Sequence, residues 1–166
     1  MTRTHTVIES PVGGLIAVAE DGALTGLYFE RRRRGPRPGD LGTRDETGFA
    51  EPRRQLAEYF AGERTGFELP LAPRGDEFQH QVWRLLAEIP FGETRSYGEL
   101  ARRLGDVALA REVGAACGRN PLPVVVPCHR VVGADGRLTG YAGGLDRKRY
   151  LLELEEPARK KEARLF

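Results

Sequence analysis

One stretch constrains this chain more than any other: Asn120-Pro-Leu-Pro-Val-Val-Val-Pro-Cys-His-Arg-Val-Val132. Prolines at 121, 123 and 127 enclose a run of β-branched residues, which favour extended, buried backbone. Pro127 has no N–H for a ladder and fixes its own φ, so a strand through the valines must end just before Cys128. The expected element is a short buried strand that delivers a thiol to a rigid turn. A structural cysteine in a β-rich core is the competing reading, because neighbours in sequence need not touch through their side chains. The prolines favour the first reading, since a core strand has no use for three of them.

Composition narrows the class. With 166 residues the chain fits one ordinary domain or two small ones, and 40% apolar with 30% charged side chains describes a globular protein. No apolar run approaches the ~20 residues of a membrane helix, and the start lacks a signal-peptide core, so the expected location is cytoplasmic, with no membrane partner. Cys117 and Cys128 are too few for a disulfide framework. His5, His80 and His129 are scattered, so no metal site is expected. The 26 basic and 24 acidic side chains leave a formal net charge of only +2, too small to demand nucleic acid by itself. Most of the basic residues are arginine, which suits phosphate and base recognition, but genome composition bias explains that equally well.

In chain order, residues 5–30 read as antiparallel strands, with Asp21-Gly22 a tight-hairpin signal. Residues 31–48 read as a charged, Gly- and Pro-rich loop in which Arg31 to Arg34 are more readily solvated than DNA-bound. A helix is expected over 51–62, with Pro52 in its first turn, then a strand over 67–71 and a linker over 71–75. From residue 76 the pattern becomes helical. Phe78, Val82, Leu85, Leu86 and Ile89 form one stripe, and Trp83 lies off it, free to pack against the first domain. Ser96-Tyr-Gly-Glu99 is a capping box, and Asp106 can cap a second short helix reaching Cys117. Two short helices joined by a glycine-containing turn have the spacing of a helix-turn-helix; an ordinary helical hairpin is the commoner explanation. The second helix is smooth with small residues, its inward stripe being Ala110, Val113, Ala116 and Cys117. Its one long outward side chain is Arg111. A glycine-rich loop, Leu138 to Gly144, follows a turn at 133–136. Asp146 is expected to cap a last helix with Tyr150, Leu151, Leu152 and Leu154 as its apolar residues. Glu153, Glu155 and Glu156 crowd the end of that helix, where its dipole disfavours carboxylates, a hint that one of them works elsewhere.

Taken together, these residues resemble the O6-alkylguanine-DNA alkyltransferases, also called methylated-DNA–protein-cysteine methyltransferases. Pro127-Cys128-His129-Arg130-Val131 matches their active-site motif. Asn120-Pro121, Arg111 and Tyr97 upstream, and Tyr141 to Gly144, Lys148 and Glu155 downstream, fall at matching places. The likeness runs from about residue 76 to 156. The N-terminal half shares only a strand-rich pattern and a helix ending Tyr59-Phe60-Ala-Gly62.

The resemblance implies an α/β chain of the α+β type. A small antiparallel sheet-plus-helix domain (1–72) would precede a mostly helical active-site domain (76–156), with a helix-turn-helix over 96–117 and the active-site motif at 127–131. Residues 157–166 would form a charged tail. It implies a single-use repair transferase that flips O6-alkylguanine out of duplex DNA and moves the alkyl group to Cys128, with O4-alkylthymine as an open second substrate. His129 would take the thiol proton through a water, Glu155 would hold His129, and Asn120 would tie the turns around Cys128. Ser96, Tyr97, Ala110 and Arg111 would meet the DNA, Arg111 filling the gap left by the flipped base. Pro123, Val131, Tyr141, Ala142, Gly143 and Lys148 would surround the base. No cofactor is implied, and the protein would be a monomer in solution, with cooperative binding on DNA left open. The alternatives are a lesion sensor without transfer chemistry, a Cys-His-Glu hydrolase with multiple turnover, and a transcriptional regulator using the helix-turn-helix.

Overall fold

The computed structural model describes residues 2–30 and 36–157. The proposed Arg31 to Arg34 loop and most of the charged tail lie outside the described residues. Packing divides the described chain into two compact units. One is built from Met1–Asp76 with Asn120–Val125, the other from Glu77–Arg119 with Val126–Phe166.

The first unit centres on a four-stranded sheet. Strands β1 (Arg3–Ile8), β2 (Leu15–Glu20) and β3 (Ala23–Phe29) form an antiparallel meander. Asp21 and Gly22 join β2 to β3 with φ of 52° and 83°, the left-handed pair that a two-residue hairpin turn requires. On one face Ile16 and Val18 cluster with Leu41. The alternate residues Leu15, Ala17, Leu27 and Phe29 are also buried, so this sheet is covered on both sides. The fourth strand, β4 (Thr43–Arg44), runs parallel to β1, which makes the sheet mixed rather than purely antiparallel. Two residues inside a Gly- and Pro-rich segment carry no readable period.

Helix α1 (Ala50–Phe60) buries Leu56 and Tyr59, with Pro52 in its first turn. The strand expected over 67–71 does not form. Gln55 takes its backbone groups instead, accepting from Glu68 N at 2.9 Å and donating to Glu68 O at 3.1 Å. Only Leu71 makes a bridge, to Leu24. The unit also receives the segment 120–125, where Leu27 N donates to Pro121 O at 2.7 Å, although the sequence places this segment in the middle of the active-site domain.

The second unit contains α2 (Glu77–Ala87), the short strand β5 (Arg95–Ser96), α3 (Tyr97–Arg103), α4 (Ala110–Gly118), β6 (Val131–Val132) and α5 (Leu145–Glu155). The capping box at Ser96 and Glu99 is present in both directions. Asp106 accepts from Ala108 N at 2.9 Å, capping a 3-10 turn that leads into α4. Both α2 and α3 pack on α4. Trp83 takes its place there, 4% exposed, donating its indole N–H to Ala116 O at 2.9 Å. Its indole partner lies on α4, because a buried indole needs an acceptor and the α4 carbonyl supplies one. Burying a side chain such as Leu86 completely contributes roughly 1.5–3 kcal/mol.

Two further expectations change at the end of the chain. Gly144, with φ of 89°, and not Asp146, caps α5. The buried face of α5 is Lys148, Leu151 and Glu155, while Tyr150 is 39% exposed. A helix face carrying two charged groups inward is invisible to an apolar-stripe count.

Candidate active site

The valine run is not a strand. Residues 121–126 are bends and turns, and Val124 lies in the left-handed region at φ 74°, rare for a β-branched residue and a sign of local strain. The prolines explain this. At 121, 123 and 127 they withhold ladder donors from alternate positions, so no partner strand can bond this segment regularly. Burial is nevertheless as expected, with Val124 at 1% and Val126 at 6% exposure. Cys128, His129 and Arg130 then form one 3-10 turn, opened by Cys128 N donating to Val126 O at 2.8 Å. The chain leaves as β6, which pairs in parallel with β5 through Arg95–Val131 and Ser96–Val132. That two-residue ladder fixes the start of α3, and hence Tyr97, beside the exit of the Cys-His-Arg turn.

The turn is almost dry. Exposure is 7% for Cys128, 0% for His129 and 7% for Arg130. From α5, Glu155 reaches the same place with 2% exposure, meeting His129 Nε2 through Oε2 at 2.7 Å. Arg130 grips both carboxylate oxygens, Nε to Oε1 at 2.7 Å and Nη2 to Oε2 at 3.0 Å. Its remaining arm donates to Ile89 O at 2.6 Å, and its guanidinium lies 5.8 Å from the centre of the Phe91 ring. Charge-assisted, two-point pairing of this kind is the strongest hydrogen bonding a protein offers.

Protonation follows from this geometry. Burial alone would raise the Glu155 carboxyl, but the hydrogen bonds from His129 and Arg130 overcome it and hold the group down at about 2. Burial pushes His129 below its usual range against the opposing pull of Glu155, leaving a neutral ring. A neutral ring that donates Nε2–H to Glu155 leaves Nδ1 as a basic nitrogen. Nδ1 is buried and has no hydrogen-bond partner among the described residues.

A second cluster adjoins the thiol. Lys148 is fully buried and donates Nζ to Thr139 O at 3.1 Å. The Thr139 hydroxyl meets Tyr97 OH at 2.7 Å, so one loop residue joins α3 to α5. Burial lowers Lys148, while Cys128 and Cys117 pull it back up. Burial raises Tyr97. Burial pushes the Cys117 thiol far up, which keeps it protonated. Neither cysteine forms a disulfide.

The turn therefore brings together Tyr97, Cys128, His129, Val131, Lys148 and Glu155. Ser96 spends its side chain on the α3 cap. Arg111 is exposed on α4 and Ala110 is half-buried at its start. Tyr141, Ala142 and Gly143 form a turn closed by Gly144 N donating to Tyr141 O at 2.9 Å. Asn120 and Pro123 lie in the segment that packs in the first unit, where Asn120 Oδ1 accepts from Leu122 N at 2.9 Å. Sequence reading gave no role to Arg130 or Thr139. Arg130 stood inside the quoted motif, but its partner is 25 residues away, and Thr139 was one residue of a glycine-rich loop. Among the described residues no group of three His, Cys, Asp or Glu side chains could hold a metal, and no helix is long and apolar enough to cross a membrane.

Comparison with known proteins agrees over both units. Residues 77–157 match the model of the 6-O-methylguanine DNA methyltransferase DNA-binding domain, and residues 4–73 match the ribonuclease-like domain of the same proteins. A methylated-DNA–protein-cysteine methyltransferase of Mycolicibacterium paratuberculosis is 51% identical, covering 91% of each chain. One from Methanosarcina acetivorans is 46% identical over 91% of this chain and 97% of its own. Among solved structures, Mycobacterium tuberculosis OGT in complex with DNA superposes with a TM-score of 0.87 at 47% identity, covering 92% of both chains.

Proposed function

This chain belongs to the 6-O-methylguanine DNA methyltransferase family, and from that premise we propose that it repairs alkylated DNA by moving an alkyl group from guanine O6 to Cys128. The observation that carries the reading is the buried chain Nδ1–His129–Nε2 to Glu155 at 2.7 Å, next in sequence to a cysteine outside any disulfide. A thiol is a poor nucleophile and a thiolate a good one. His129 accepts the Cys128 proton at Nδ1, through a bridging water, while Glu155 fixes the ring and stabilises the imidazolium that forms, the logic of a nucleophile, base and orienter.

The thiolate then attacks the alkyl carbon. The S–C bond forms as the C–O6 bond breaks, the electron pair goes to the guanine oxygen, and the base takes up a proton to become guanine. The product is a thioether, which water does not hydrolyse, so each molecule acts once. A base in a duplex is out of reach of a buried thiol and must be rotated out of the stack. Arg111, exposed on a helix of small residues, suits the space left behind, and Tyr97 suits the displaced nucleotide. Tyr141 to Gly143 offer a backbone turn for the base, with Val131 as a further wall. Alanine at 142 offers a backbone N–H without a side-chain hydroxyl. O4-alkylthymine presents a similar alkyl ether, and the same displacement at its alkyl carbon would make it a second substrate.

The test is label transfer from duplex DNA carrying methyl-labelled O6-methylguanine. Label is expected on the wild-type protein and absent from Cys128→Ser, with the variant still binding the duplex. Retained transfer by the variant would sink the mechanism. Binding without transfer by the wild type would make the protein a lesion sensor.

A further inference from the structure

We propose that Arg130 is a positioning residue for the transfer reaction: by holding both oxygens of Glu155 it fixes the carboxylate against His129 and shares its charge, so that the imidazole enters the reaction as a base. The proposal rests on the alkyl-transfer reading and deepens it.

The geometry makes the argument. A carboxylate that faced His129 alone in a dry site would draw a proton onto the ring, because an isolated buried charge seeks a counter-ion. A ring already protonated cannot accept the proton of Cys128. Arg130 pairs with both oxygens of the carboxylate, at 2.7 and 3.0 Å, with a side chain 8% exposed. What remains for His129 is one oxygen of a neutralised pair, enough to orient Nε2–H without demanding a second positive charge.

Arg130 is itself anchored at its third arm by Ile89 O at 2.6 Å and flanked by Phe91, so the grip does not depend on the carboxylate alone. Lysine cannot reproduce it, since an ammonium is a point charge without the planar fork. The charges that act on His129 are Glu155 and Lys148 from α5 and Arg130 from its own turn. Helix α2 also packs against this turn, and just beyond its end the Ile89 carbonyl faces Arg130. Burial is the chief cause of the ring's lowered basicity, and both cations add to it.

Removing the guanidinium therefore raises the basicity of His129, which then stays protonated to higher pH. Transfer is lost first on the acid side, where the base is occupied, and recovers as pH rises. In single-turnover measurements on lesion-containing duplex, Arg130→Met is expected to move the acid limb of the rate profile upward by about one pH unit. Arg130→Gln carries the same expectation if the methionine variant does not fold. Arg130→Lys, which keeps the charge but loses the fork, is expected to keep the limb near wild type at a reduced plateau.

Nitrogen NMR of the His129 ring in the DNA-free proteins reads the same shift without any transfer. It remains decisive if the alkyl-transfer reading fails, and His129→Gln identifies the signal among the three histidines. An unmoved limb with an equal rate loss at every pH, or an unchanged His129 titration in both neutral variants, would overturn the proposal.

Discussion

The two units bury different kinds of polar group. In the first, the buried polar side chains among the described residues are Thr6, Gln55 and Asn120, all neutral. Gln55 and Asn120 serve the backbone, closing a loop at Glu68 and a turn at Leu122. In the second they are His129, Arg130, Lys148 and Glu155, all ionisable. The described charged pairs of the first unit keep at least one partner partly exposed: Arg44 and Glu46 are 61% and 56% exposed, and Glu20, at 10%, pairs with Arg3 at 34% and Arg74 at 61%. Surface pairs of this kind contribute little and are screened by salt. A buried ionic network costs desolvation and often adds no stability over apolar packing. Among the described residues it stands in one unit alone, the unit in which we place the chemistry.

The largest effect is expected from Glu155→Gln. It leaves Arg130 buried without its counter-ion, which should remove about 3 kcal/mol or more of stability, and it slows transfer by freeing His129. Urea unfolding followed by the single tryptophan, Trp83, reads the second unit directly. A loss as small as that of a surface pair would erase the distinction between the units.

Next in size is the acid response. The folded Glu155 sits at about 2 against an ordinary 4.5. Its stabilisation is therefore complete above 4.5 and is lost as pH falls toward 2, on the order of 3 kcal/mol in all. His129 is lowered as well, so it begins to oppose folding as pH drops below its ordinary 6.5. The Trp83 transition should weaken on acidification, and high salt should leave that weakening in place because the groups are buried. Salt-sensitive behaviour would place the titrating groups at the surface.

The smallest effect is expected from Gln55→Ala, about 1 kcal/mol, since water can replace its bonds to the exposed Glu68 backbone. Transfer should be unchanged. A loss of transfer would tie the neutral network of the first unit to the reaction.

Legibility in the sequence followed the range of the interactions. The capping box at Ser96, the Asp21-Gly22 turn and the ends of α1 are local, and each was readable. The active turn was readable as a place but not as a shape. Valine propensity suggested a strand, and the prolines, correctly read as a stop, also prevented the strand itself. β4 was hidden because two residues make no pattern. Glu155 could be suspected from its unfavourable position at a helix end, yet nothing local distinguished it from Glu153 or Glu156. Arg130 and Thr139 act through partners that only the fold brings near, and the inward charges of α5 broke the rule by which its buried face was sought. The family likeness supplied distant positions such as Tyr97 and Lys148, whereas the split of Glu155 between an arginine and a histidine came from the geometry alone.

The central claim is that Cys128 accepts one alkyl group and keeps it. The direct measurement is intact and peptide mass analysis after incubation with excess duplex carrying O6-methylguanine. Each molecule is expected to gain the mass of one methylene, located on the Cys128 peptide, with no turnover beyond that single event. Unmodified protein, a methyl group elsewhere, or repaired DNA in molar excess over protein would contradict it.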